Sequence, residues 1–166
     1  MGDDGARQLS PLFNRRLIRW DSRAGVFRVE MDSRLREVLR ELMQQFLSML
    51  DDPDSPVLKR VFPPAYSDPA HVALQDEYRR LTQEDLVERR RVEVQTVLDS
   101  VEARVLSEEQ VLAWSRAVNG LRLALGTYLD VKEEEPIRMP RNAEESAYQW
   151  LSWLLEETVE ALSGKT

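Results

Sequence analysis

At 166 residues the chain is long enough for one domain with a substantial core, since a chain of about 150 residues removes roughly 70% of its unfolded surface from water. Charged residues at 32% and hydrophobic residues at 42%, with 6 Gly and 8 Pro, exclude a disordered or low-complexity chain. The absence of cysteine excludes disulfides, thiolate metal sites and a thiol redox switch within this chain, and the net charge of −7 is divided into +3 over residues 1–28 and −10 over the rest.

The first segment is therefore basic and the body acidic, and an acidic body repels a polyanion at long range. The twenty arginines against three lysines read as the codon usage of a GC-rich genome rather than as bidentate anion recognition. No apolar leader opens the chain and no run approaches the 18 or so apolar residues of a membrane span, so a cytoplasmic location is expected.

In chain order, Phe13 to Trp20 mixes apolar residues with arginines, and Phe27, Val29 and Met31 alternate with Arg28 and Glu30. With Asp21-Ser22-Arg23-Ala24-Gly25 between them, residues 12–31 predict a β-hairpin. A lone hairpin is marginal in water, so it must lie on the helices. Asp32 or Ser33 caps a helix whose Leu35, Val38, Leu39, Leu42, Met43, Phe46, Leu47 and Leu50 follow helical spacing and which stops at Asp51-Asp52-Pro53.

Prolines then mark a loop over 52–69, with one apolar turn at Val57 to Phe62. His71 to Leu81 reads as a short helix, and Thr82-Gln83-Glu84-Asp85 starts another with Val94, Val97, Leu98 and Val101 on its buried stripe. Ser107 with Gln110 forms a capping box. It opens a helix with apolar residues on two sides, as a central helix would have. A polar connection over 130–141 leads to the last helix, 142–162, capped by Asn142 and Glu145 and ended by Ser163-Gly164. The expected architecture is mainly α: one domain, 1–166, forming a helical bundle of about five helices with the hairpin packed on it.

At roughly 100° per residue, Ala147, Tyr148, Leu151, Leu154, Leu155, Val159 and Leu162 form the apolar arc of the last helix. Trp153 points away from it, among Gln149, Glu156, Glu157 and Glu160, with Trp150 on the border. A large aromatic in that setting calls for a cover, either another part of this chain or another molecule. Trp150, Trp153 and Glu157, with Arg15, Arg19 and Arg28 of the hairpin, are the candidate partner-binding residues.

Catalytic constellations are missing. His71 is the single histidine, and its setting, Asp68-Pro69-Ala70-His71, is that of a solvated side chain entering a helix. The pairs Glu108-Glu109 and Glu144-Glu145 sit in helix first turns, where they complement the macrodipole. The glycines form neither a phosphate loop nor a dinucleotide fingerprint. No catalytic residue, metal site or cofactor is expected, and the chain is read as a non-enzyme. Arg89-Arg90-Arg91 point in three directions on a helix and suit intrahelical charge pairs better than a phosphate row.

Several segments together resemble a known family. The hairpin with its Asp-capped helix, Leu58-Lys59-Arg60-Val61-Phe62-Pro63-Pro64-Ala65-Tyr66, Leu121 to Thr127 with its Leu-Gly-Thr ending, and Tyr148 to Leu154 are similar to the actinobacterial oxidative stress regulator AosR family, long known only as a domain of unknown function. The likeness runs from about Arg19 to Leu162. It implies a cytoplasmic, non-enzymatic regulator of transcription acting through a protein partner such as a sigma factor or RNA polymerase. The cysteine redox switch attributed to some members has no counterpart here. Two alternatives stand beside that reading: direct nucleic-acid binding through Arg15, Arg16, Arg19, Arg23 and Arg28, and a homo-oligomeric structural role.

Overall fold

Apolar residues alternating with charges, and a glycine where the chain reverses, build the N-terminal hairpin. The computed structural model describes residues 16–62, 72–131 and 139–165, with the backbone alone over 72–79. Strands β1 (Ile18–Asp21) and β2 (Val26–Val29) pair antiparallel, Ile18 opposite Val29 and Trp20 opposite Phe27. Ile18, Phe27 and Val29 are buried on the inner face, and the half-buried Trp20 ring rests on Phe27 with centroids 4.8 Å apart. Gly25 closes the turn at φ +67°, a conformation in which a Cβ would be strained, and its N–H reaches the Asp21 carbonyl at 2.8 Å. The remainder of the expected hairpin, 12–15, lies outside the described residues.

A third strand, β3 (Val105–Leu106), joins the free edge of β2, making a three-stranded antiparallel sheet in the order β1-β2-β3. Two residues are too few to show a period of two, so this strand left no trace in the sequence pattern.

Helix α1 (Ser33–Met49) starts where Asp32 accepts the Leu35 N–H at 2.8 Å. Leu39, Met43 and Phe46 face the core, and a fourth residue on the same stripe is charged: Arg36, only 7% exposed. Its guanidinium donates to the carbonyls of Met31 at 3.0 Å, Val101 at 2.7 Å, Ala103 at 2.8 Å and Val29 at 3.4 Å. One side chain thus joins the strand β2 exit, the start of α1 and the loop before β3. After α1 the chain turns through a single 3-10 turn, Pro56–Leu58, whose Leu58 is fully buried.

Helix α2 (Val72–Ser100) is continuous over 29 residues, where two helices meeting at Thr82 were expected. The described residues therefore hold four helices rather than about five. A Thr-Gln-Glu-Asp segment can start a helix, but no Gly or Pro between 72 and 100 interrupts the backbone ladder, so the helix runs through it. His71 and residues 63–70 lie outside the described residues.

Helix α3 (Glu108–Tyr128) opens with the expected box: the Gln110 N–H donates to Ser107 Oγ at 3.2 Å and the Ser107 N–H to Gln110 Oε1 at 2.8 Å. It is the central helix, meeting α1, α2, the sheet, the 3-10 turn and the last helix. Its face from Val111 through Trp114, Ala117, Val118 and Leu121 to Ala124 is buried. The end of α3 is a Schellman motif: Val131 N–H bonds the Gly126 carbonyl at 2.9 Å and Asp130 N–H the Thr127 carbonyl at 3.2 Å. Asp130 occupies the left-handed position, φ 54°, normally held by glycine. Asp130→Gly should therefore stabilise the protein by about 0.5–1 kcal/mol, seen as a higher urea midpoint at unchanged slope; a lower midpoint would show that the Asp130 side chain holds the loop.

Helix α4 (Ala143–Gly164) is capped by Asn142, whose side chain accepts the Glu145 N–H at 2.8 Å. Glu145 reaches back one residue further than a capping box requires, to the Arg141 N–H at 2.7 Å. Residues 132–138 of the connection before it lie outside the described residues.

Candidate functional site

The buried stripe of α4 consists of Leu151, Leu154, Glu157, Thr158 and Ala161. Relative to the arc expected from hydrophobicity alone, it is rotated by roughly 70° at 100° per residue. The rotation exposes Val159, at 49%, and turns Trp150 and Trp153 inward, where both are half-buried and pack against the core. The cause is the second neighbour of α4: besides α3 it packs against β1 and the residue that leads into it.

Glu157, expected on the acidic outer face, lies beneath that segment. It is 8% exposed, and its Oε2 accepts the Leu17 N–H at 2.9 Å. A carboxylate is a strong acceptor for a main-chain N–H that no strand pairs, and the bond fixes where β1 begins. Arg16 adds an ion pair to Glu160 at 2.7 Å. At the far end, Lys165 pairs with Glu108 and its Nζ stands 5.4 Å from the centre of the Trp20 ring. The hairpin and the last helix are thereby joined at both ends of their contact.

Strand alternation places Arg19 and Arg28 side by side on the outer face of the sheet, as register partners. Trp150 and Trp153 lie on α4, half-buried against the core, with part of each ring left exposed. Each arginine meets a carboxylate: Arg28 Nε donates to Asp21 Oδ2 at 2.6 Å, and Arg19 lies 3.5 Å from Glu30. Asp21 also accepts the N–H groups of Arg23 and Ala24. The Arg28 hydrogen bond, followed by that from Ala24, holds the Asp21 carboxyl below the usual carboxylate range. A depressed folded-state pKa means that this support is present above the unfolded carboxylate value and lost as pH falls through the folded one. Arg15 lies outside the described residues.

Three of the segments that carry the family likeness, those of Arg60, Gly126 and Tyr148, meet at the end of α3. A Cβ on Gly126 would lie 3.0 Å from Tyr148 Cε2, so the Leu-Gly-Thr glycine leaves room for the ring of the Tyr-Gln-Trp segment. Arg122 donates to Tyr148 Oη at 3.2 Å, with its guanidinium 5.8 Å from the ring centre. Arg60 donates to the Val131 carbonyl at 3.0 Å and ties the 3-10 turn to the end of α3. Pro63 to Tyr66 lie outside the described residues. Within the described part these signatures act as packing and capping residues. Among the described residues no three His, Cys, Asp or Glu side chains gather as metal ligands, and no helix is long and apolar enough to cross a membrane.

Residues 17–162 match the family described as a domain of unknown function, DUF2017. The proteins named oxidative stress regulator AosR from Mycobacterium tuberculosis (strain ATCC 25618 / H37Rv) and from Mycobacterium bovis are each 34% identical over 131 residues, covering 68% of this chain and 60% of theirs. A relative from Mycobacterium leprae is 35% identical over 129 residues, 66% of this chain and 59% of its own. The chain thus spans about 60% of the length of the curated relatives it matches. No solved structure matches it. The match along nearly the whole described fold, with relatives at a third identity, places the chain in the DUF2017 family, among homologues of the mycobacterial oxidative stress regulator AosR.

Proposed function

We propose that this chain is a non-enzymatic regulator of a stress response that acts on transcription by holding a protein partner, a sigma factor or another subunit of RNA polymerase. The observation that carries the reading is its homology to proteins named oxidative stress regulators. The chain has no cysteine, so an oxidative signal reaches it by some route other than a thiol of its own. The proposed contact surfaces are the outer face of the hairpin, with Arg19 and Arg28, and the exposed border of α4 beside Trp153.

The charge pairing of the sheet favours a protein over a nucleic acid. A phosphate backbone would have to displace an internal carboxylate at each of Arg19 and Arg28, whereas a protein surface of mixed charge meets such pairs directly. Affinity capture of the tagged chain from its native lysate, with and without nuclease, tests the reading. Sigma factor or polymerase subunits should be retained after nuclease treatment. Retention that depends on nucleic acid, or of no specific protein, would overturn it.

Trp153→Ala should weaken the captured complex by about 2 kcal/mol, roughly 30-fold, while lowering unfolding stability by less than that. Unchanged capture with a stability loss of several kcal/mol would assign Trp153 to the core alone.

A further inference from the structure

Helices α2 and α3 leave an open groove of about 720 Å³ between them, on elements separate from the hairpin and the last helix. Its floor is apolar, built by Val92 of α2 and by Leu112 and Ala113 of α3. Val92 is 57% exposed, although it stands in the middle of a helix that packs on its neighbour. Leu81, 61% exposed, lies eleven residues earlier on the same face of α2, three turns or about 16 Å away. Leu81 stands outside the lining of the groove, one turn before Asp85, and continues the exposed line of α2 beyond it.

The walls have a sign. Asp85, Glu88 and Glu93 from α2 and Glu109 from α3 line the groove, against the guanidiniums of Arg89 and Arg116. Glu93 also holds Arg90 at 2.8 Å, which leaves Asp85, Glu88 and Glu109 as the outward carboxylates. The α2 wall runs about three turns, from Asp85 to Thr96, and an apolar patch flanked by more carboxylates than guanidiniums suits the apolar stripe of a helix whose flanks are basic.

We infer that this groove docks a basic amphipathic helix of a protein partner, with aliphatic residues at i, i+3 or i+4, and i+7 seated on Val92, Leu112 and Ala113, and with arginines or lysines facing Asp85, Glu88 and Glu109. The site is distinct from the hairpin and Trp153 surfaces, so its failure leaves the capture experiment untouched.

The test uses the full chain and two labelled 16-residue peptides of identical leucine and arginine content, one with its leucines on a single helical face and one with them scattered, read by fluorescence anisotropy. The amphipathic peptide should bind at least tenfold more tightly. Val92→Glu, at an exposed site where circular dichroism should show an unchanged fold, should cost tenfold or more in affinity. That variant adds a negative charge, so mere attraction of a basic peptide to an acidic protein predicts equal or tighter binding. Equal binding of the two peptides, or no loss in Val92→Glu, would overturn the assignment. Two further results would also overturn it. A concentration-dependent dimer in sedimentation, abolished by Val92→Glu, would give the groove to a second copy. A tenfold gain in peptide affinity in Arg7→Glu/Arg15→Glu would give it to the chain's own basic segment.

Discussion

Trp114→Ala is expected to lower the unfolding free energy by about 4 kcal/mol, the largest effect of any single truncation in the core. Trp114 is fully buried in the second turn of α3, the helix that every other layer contacts. Its removal costs both the transfer of a large aromatic and a cavity that the close-packed core around it cannot fully collapse to fill. A polar contribution adds to this. Trp114 Nε1 donates to Ser100 Oγ at 2.8 Å, and that hydroxyl donates in turn to the Thr96 carbonyl at 2.5 Å. Ser100→Ala should then cost about 1–2 kcal/mol, since it leaves the indole N–H buried without its acceptor. Urea unfolding followed by circular dichroism reads both. A loss below about 1.5 kcal/mol for Trp114→Ala would contradict the placement of this ring at the structural centre.

The second large effect is expected at Arg36. Arg36→Ala should cost about 3 kcal/mol, because the guanidinium answers four carbonyls from three parts of the chain, two of them following the C-terminus of α2. A cation at a helix C-terminus is further favoured by the macrodipole. Arg36→Lys should recover less than half of the loss, since one ammonium cannot span carbonyls set around a planar fork. Full recovery by lysine would mean that charge, rather than the fork, holds these segments together.

Much of the architecture was legible before the fold was known. Caps at Asp32, Ser107 and Asn142 fell where the side chains make their bonds, because capping is a local matter of one oxygen and one N–H two or three residues on. The two-sided apolar pattern of α3 identified the central helix for the same reason: it depends on what each residue is, not on what arrives from afar. Failures came where a distant segment decides. Hydrophobicity gave α4 one buried side, yet the strand entry at Leu17 covers a second, which rotates the stripe, buries Glu157 and exposes Val159. Thr82 carried a helix-start signal that counts only where the preceding backbone is broken. β3 is defined wholly by its partner strand.

The role of Arg36 is hidden in the sequence because a charged residue reads as solvent-facing. The signal that could have found it is its spacing: positions 36, 39, 43 and 46 form one stripe, and the arginine occupies its first place. Candidate contact residues were harder to read for a related reason. Arg19 and Arg28 were visible as an arginine-bearing strand pair, but their carboxylate partners Glu30 and Asp21 became partners only through the register of the hairpin. The signatures around Gly126 and Tyr148 were recognisable as segments, while their purpose, a close ring-to-backbone approach, required the helices to be placed side by side.

Whether the chain holds a protein of the transcription machinery, as we propose, is read directly by sedimentation velocity. The labelled, purified chain would be titrated with purified RNA polymerase holoenzyme in the absence of any nucleic acid. Saturable transfer of the label to the fast-sedimenting polymerase, reduced in Trp153→Ala, is the predicted result. A label that sediments at the rate of the free chain at every polymerase concentration would show that the chain does not hold the polymerase.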